Sequence, residues 1–324
     1  LALINTAFPT TGTIVNNASV GMSVDNLGYY RIATATAGAG SWTISGTGAG
    51  NVWQNRIGYG TAAGAAATAT GQIAVNASGK LWFETYTGQN QTWGPTQPVN
   101  IAAGGAVYVY GSAGRTITVG SLQGAGLLDF YDGGADGLTG KSLILSIGGD
   151  NSDRTFNGTI NNSGASSGPT VLGLVKTGWG TQPLRGANTY TGGPTVNGGT
   201  LNIGNWGGAY NGAIAVNGGT LGINSPAGIN LGGAVSGSAV IENKGSAWAY
   251  FNGAAAQFTG FTGTLLNSSG TGYFAFAAGN GAVNTILRVD GGSFAIGANG
   301  SGAGTWEVGA LSGTGGTVNA AQAG

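Results

Sequence analysis

Five of the chain's ten acidic residues, Asp129, Asp132, Asp136, Asp150 and Asp153, crowd between positions 129 and 153. Carboxylates gathered this way suit two chemistries. Calcium takes carboxylate and carbonyl oxygens in surface loops. Two carboxylates facing each other across a cleft can cleave a glycosidic bond when their proton affinities are set apart. The spacing matches no EF-hand loop. Lyase chemistry also draws on bases, and only Lys141 and Arg154 lie nearby in sequence. Solvated turn aspartates are the plainer reading and the preferred one. No cofactor is expected, calcium being the one that these acids would admit.

The run Ala135-Asp136-Gly137-Leu138-Thr139-Gly140-Lys141-Ser142 fits a loose phosphate-loop pattern. Such a loop must open a helix. Here Leu143-Ile144-Leu145-Ser146-Ile147 alternates like a strand, and the flanking acids repel phosphate, so nucleotide binding is set aside. The chain has no Cys and no His. That excludes disulfides, thiolate chemistry and imidazole ligation, and leaves zinc only carboxylates. The reading is of a protein that is not an enzyme.

Aromatic residues are the other candidates. Trp42, Trp53, Trp82 and Trp93 fall in the first hundred positions of a chain with eight Trp and eleven Tyr. Aromatics on a strand face can stack on sugar rings or anchor an interface. Packing in a core or end cap is the plainer alternative. With the apolar start Leu1, Leu3 and Ile4, these four Trp are the interface candidates.

The elements that must position these groups read as strands. Gly supplies 69 of 324 residues, charged residues are 6% and hydrophobic residues 41%, with zero formal net charge. Seven Pro and no Gly-X-Y period exclude collagen. The hydrophobic content argues against disorder. Charge neutrality leaves no footprint for nucleic acid or anionic lipid and favours self-association. Short alternating runs such as Val107-Tyr108-Val109-Tyr110 and Thr116-Ile117-Thr118-Val119 lie between glycines. Asn-Gly pairs begin at Asn157, Asn197, Asn211, Asn217, Asn252, Asn280 and Asn299, each reading as a tight turn. No apolar run is long enough to span a membrane and no signal peptide is visible. The chain opens at Leu1 and not at Met, which reads as a processed or excised segment.

Repetition organises these runs. Thr195-Val196-Asn197-Gly198-Gly199-Thr200-Leu201-Asn202-Ile203 recurs twenty positions on as Ala215-Val216-Asn217-Gly218-Gly219-Thr220-Leu221-Gly222-Ile223. A period near twenty suits one coil of a parallel β-solenoid, where like residues stack about 4.8 Å apart. It predicts Val on Val, Leu on Leu, and an Asn197–Asn217 ladder.

Within residues 143–205, three blocks stand in order: Leu174-Val175-Lys176-Thr177-Gly178-Trp179-Gly180, then Leu184-Arg185-Gly186-Ala187-Asn188-Thr189-Tyr190-Thr191-Gly192-Gly193, then Thr195-Val196-Asn197-Gly198-Gly199-Thr200-Leu201. Together they resemble the autotransporter-associated β-strand repeat, or passenger-associated transport repeat. The resemblance implies a right-handed parallel β-helix on the outside of a bacterium. Gln182 and Pro183 depart from the pattern, which has an apolar residue and a strand former there. Proline cannot donate to a ladder, so a bulge or an edge is expected at this point.

The expectation is therefore an all-β chain. Residues 100–324 form a right-handed parallel β-helix with Gly/Asn-rich turns, and residues 1–99 an irregular β-rich head or cap. The expected function is a structural extracellular surface protein that assembles with itself into a fibre or layer. Copies would stack end to end, or donate Leu1-Ala2-Leu3-Ile4 to a neighbour's sheet. The alternatives are an adhesin or glycan-binding passenger, with surface polysaccharide as partner, and a β-helix lyase or glycosidase.

Overall fold

The computed structural model describes residues 2–3, 13–24, 30–32, 35–46, 55–57, 68–85, 91–92, 95–111, 114–131, 142–164, 171–204, 210–253, 256–277, 282–296 and 307–320. Every regular element among them is a β-strand. The chain divides into two units, Leu1–Gln182 with Asn188–Tyr190, and Pro183–Ala187 with Thr191–Gly324. Each is a parallel β-solenoid.

In the first unit one sheet stacks β1 (Ala2–Leu3), β3 (Val20–Val24), β6 (Trp42–Gly46), β8 (Ile73–Val75), β11 (Val99–Ile101) and β14 (Leu122–Gly124). A second stacks β4 (Tyr30–Ile32), β7 (Asn55–Ile57), β9 (Lys80–Thr85), β12 (Ala106–Gly111), β15 (Leu127–Tyr131) and β17 (Thr159–Gly164). A third holds β10 (Gln91–Thr92), β13 (Arg115–Thr118), β16 (Ser142–Ile147) and β18 (Val171–Lys176), while β2 (Thr13–Val15) pairs with β5 (Ala35–Ala37). Alternation turns every second side chain inward. Trp42, Ile73, Val99 and Leu122 form one buried column and Leu81, Val107, Leu128 and Ile160 another.

In the second unit the chain visits three sheets in rotation. The first holds β20 (Pro194–Val196), β22 (Ile214–Val216), β25 (Val235–Gly237) and β28 (Gly260–Phe261). The second holds β21 (Thr200–Ile203), β23 (Thr220–Ile223), β26 (Val240–Asn243), β29 (Thr264–Asn267), β31 (Ala282–Val289) and β33 (Val308–Gly313). The end of β19 (Thr181–Leu184) enters this unit at Pro183, and its Leu184 carbonyl accepts the Gly204 N–H. The third holds β24 (Ile229–Leu231), β27 (Trp248–Phe251), β30 (Tyr273–Phe276), β32 (Ser293–Ile296) and β34 (Thr317–Ala320).

The predicted register is present. Thr200, Leu201 and Ile203 pair with Thr220, Leu221 and Ile223, and Val196 pairs with Val216. The Asn217 amide donates to Asn197 Oδ1 at 3.0 Å, as the repeat foretold. Leu201, Leu221, Ile241, Leu265 and Leu287 make one buried column. Each such side chain contributes about 1.5–3 kcal/mol on burial. Beside it Ile203 and Ile223 give way to Asn243 and Asn267, also buried. These two hold the corner between sheets. Asn267 Nδ2 donates to the carbonyls of Gly272 (3.0 Å) and Ser293 (2.8 Å). Phe251, Phe274, Phe276 and Phe294 fill the third side, with Phe251 and Phe276 stacked at 5.5 Å.

Three of the expectations bear on these strands. Apart from β2 and β5, which pair with each other, the strands described before residue 100 join the same sheets as those after it, and position 99 falls inside β11. Alternating runs interrupted by long insertions conceal a solenoid that short turns reveal. The segment at Gln182 and Pro183 is strand β19, with Gln182 inward and Pro183 outward, and among the described residues it is the edge of its sheet, as expected of a proline there. Ala2 and Leu3 pair in register with Gly21 and Met22 of their own chain, and β1 ends that sheet among the described residues.

Candidate functional site

The acidic residues of the sequence analysis lead to the turn after β16 and the strand β18 that follows it in the same sheet. Asp150 Oδ2 accepts hydrogen bonds from the hydroxyls of Ser121 (2.7 Å) and Ser152 (2.6 Å), with Arg154 Nε at 3.7 Å. Asp153 Oδ1 accepts the Thr181 N–H at 2.6 Å, and Asn151 Oδ1 accepts the Trp179 N–H at 2.9 Å. Asn151 itself sits at φ +58°, a left-handed position that asparagine tolerates.

Lys176 closes the arrangement from inside. It is the last residue of β18 and only 1% exposed. Its Nζ donates to the carbonyls of Thr177 and Gly178. Burial pushes its proton affinity below the ordinary lysine value, and the charges of Asp150 and Asp153 pull it part of the way back. Two carboxylates and two cations thus balance in one turn. Gln182 completes the network from β19: its Oε1 accepts the Leu122 N–H, and its Nε2 donates to the carbonyls of Leu122 and Arg154, at 2.8, 2.8 and 2.9 Å. Residues 150–155 form no strand. Leu122 therefore meets a side-chain amide where a neighbouring strand would have supplied donor and acceptor.

Chemically this arrangement holds a turn. Asp150 and Asp153 are committed to hydroxyl, backbone and cationic partners. Asp129 is buried on β15, in register between Tyr108 and Asn161 and apart from that turn in sequence. Asp132 and Asp136 lie outside the described residues. Among the described residues no group of three acids is gathered to hold a metal. Ser142, the last residue of the phosphate-loop pattern, begins strand β16 and not a helix.

The interface candidates are relocated by the fold. Trp42 and Trp82 are buried, Trp42 in an inward column and Trp82 stacked on Tyr108 at 4.7 Å. They are packing residues and not surface anchors, because neighbouring coils cover them. Trp53, Trp93, Leu1 and Ile4 lie outside the described residues, and Leu3 is paired in β1. The exposed apolar side chains are others. Trp179 is 85% exposed on the turn pinned by Asn151, and Leu311 and Val318 are 61% and 42% exposed on β33 and β34. Sequence reasoning missed Lys176 and Gln182 as buried nodes. Their signal was a polar residue at an inward position of an alternating run.

Comparison with known proteins agrees with this architecture. Residues 174–203 match the passenger-associated-transport-repeat family. The chain is also similar to the adhesin BmaC autotransporter of Brucella suis biovar 1 (strain 1330), with 31% identity over 207 residues, 62% of this chain. That stretch spans 6% of the length of the relative.

Proposed function

We propose that this chain, which carries a passenger-associated-transport repeat at residues 174–203, is a non-catalytic structural segment of a bacterial surface passenger of the adhesin type. The observation that supports it best is the register. Coil after coil places apolar residues over apolar residues, while Asp150 and Asp153 are spent on holding a turn. Such a scaffold presents side chains on its flat outer faces at fixed spacing. The similarity to an adhesin autotransporter supports a place outside the cell. Labelling intact producing cells with a membrane-impermeant amine reagent tests this. Lysines such as Lys80 and Lys244 should react on intact cells. Reaction only after lysis would overturn the reading.

One observation bears on what lies against the last described coil. Leu311 extends the column of Leu265 and Leu287, and Val318 that of Phe274 and Phe294, yet both are exposed. Among the described residues, β33 and β34 end their sheets. Unpaired strand edges with exposed core positions invite another coil. A further coil laid on this edge, from the same chain or from a second copy, would cover both side chains.

A further inference from the structure

The three faces of the second unit differ on their outer sides. The face of β26 and β31 carries Glu242, Lys244, Arg288 and Asp290 in or beside its strands, joined in pairs at 3.1 and 2.8 Å. The face of β20, β22 and β25 turns out Thr195, Ala215 and Ser236, which are small. The face of β24, β27, β30, β32 and β34 is of a third kind. The outward positions on its strands carry no charge and concentrate aromatics on two adjacent rungs.

Register places these residues. In one outward column Gly228 lies opposite Trp248, which lies opposite Tyr273 and then Ser293. In the next, Asn230 leads to Tyr250, Ala275 and Ala295. The Trp248 indole covers Gly228 so closely that a Cβ there would fall within the ring. Glycine thus lets the ring lie down on the sheet. Tyr250 meets Trp248 edge-on at 6.4 Å and 76°. Trp248, Tyr250 and Tyr273 all remain partly exposed. On the next rungs Ala275 is buried, 3% exposed, while Ala295 is partly exposed.

We propose that this face binds a neutral polysaccharide, its sugar rings lying on Trp248 and Tyr273 and its chain passing over Ala295. Aromatic bodies with polar tips, together with a few amides and hydroxyls, recognise a ligand that is apolar on its faces and hydroxylated at its edges. The absence of charge on the strands selects against acidic polymers, which a basic face would attract. The proposal draws on the surface reading only for access of the polymer to this face.

The experiment is affinity electrophoresis of the whole chain in native gels containing dextran, a soluble β-glucan, xylan or galactomannan, with alginate as the anionic comparison. Migration should slow in at least one neutral gel and not in alginate. Trp248→Ala and Tyr273→Ala should each weaken that retardation about tenfold, equivalent to about 1.4 kcal/mol. Removing Trp248 also uncovers Gly228, so Ala295→Arg serves as a second variant. It adds bulk and charge beside the rings at a partly exposed position, and should abolish retardation while leaving the urea midpoint unchanged. No retardation in any neutral gel, retardation by alginate alone, retardation that survives Ala295→Arg, or pairing of two copies through this face would each overturn the proposal. Failure of the surface reading would show separately, as a chain labelled only after lysis that still binds polysaccharide in the gel.

Discussion

The informative residues are polar ones in apolar places. Gln182 stands where a strand-to-strand pairing is missing, and supplies one acceptor and two donor contacts to buried backbone. Gln182→Leu fills the same space but orphans the Leu122 N–H and the carbonyls of Leu122 and Arg154. At about 1–3 kcal/mol for each buried unpaired group, the variant should lose roughly 3 kcal/mol or more, seen as a lower urea midpoint. Lys176 and Tyr210 give stability opposite dependences on pH. Burial lowers the proton affinity of Lys176 below the ordinary 10.5, so just below that pH the unfolded chain holds more protons and stability rises with pH. Burial raises that of the Tyr210 hydroxyl above the ordinary 10.0, so above that pH the folded chain holds more protons and stability falls as pH rises. Urea midpoints across alkaline pH should show both. Lys176→Met should flatten the rise and Tyr210→Phe should lessen the fall.

At the scale of elements, the turns set the spacing of the coils. Thr200, Thr220 and Val240 follow one another in register, each twenty positions on. Gly219 makes this possible. It sits at φ +75°, and a Cβ there would overlap the Gly199 carbonyl of the coil beside it. Gly219→Ala should therefore cost more than the ordinary glycine-to-alanine entropy effect of about 1 kcal/mol. Gly270, with nothing within 4 Å of an added Cβ and no such φ, should accept Ala with little change in thermal midpoint. The first unit spaces its coils less evenly. Leu127 pairs with Thr159, and Ser142 with Val171, offsets of 32 and 29. A stacked coil constrains only its strands, so the loop between them can lengthen without disturbing the core. That is why the repeat was legible in residues 195–223 and hidden before residue 100.

For the molecule as a whole, the edge at β33 and β34 is where a further coil, of this chain or of a second copy, would be laid. If a second copy adds there, sedimentation velocity should show association that grows with concentration. Leu311→Asp with Val318→Asp should abolish it, because a charge at an inward column position cannot be covered by an apolar coil. Association unchanged by those two substitutions would remove the edge from the assembly. The uncharged aromatic face lies on the outside of the same coils, so polymer binding and coil addition use different surfaces and can be separated by variants.

The sequence by itself determined the class. Alternating runs, Asn-Gly turns, a twenty-residue period and the repeat around Lys176, Tyr190 and Gly199 together require a parallel stack, because one coil alone cannot bury its apolar side. The absence of Cys and His likewise limited the chemistry before any fold was known. Only the tertiary structure decided which side chains face where. Trp42 and Trp82 looked like anchors and are buried, while Trp248, Tyr250 and Tyr273 drew no notice and pave a face. Gln182 was expected at a bulge or an edge, and on the edge strand β19 it is a buried brace. In a strand, inward and outward differ by one position, and the neighbouring coil's register makes that choice. Neither composition nor local spacing contains it.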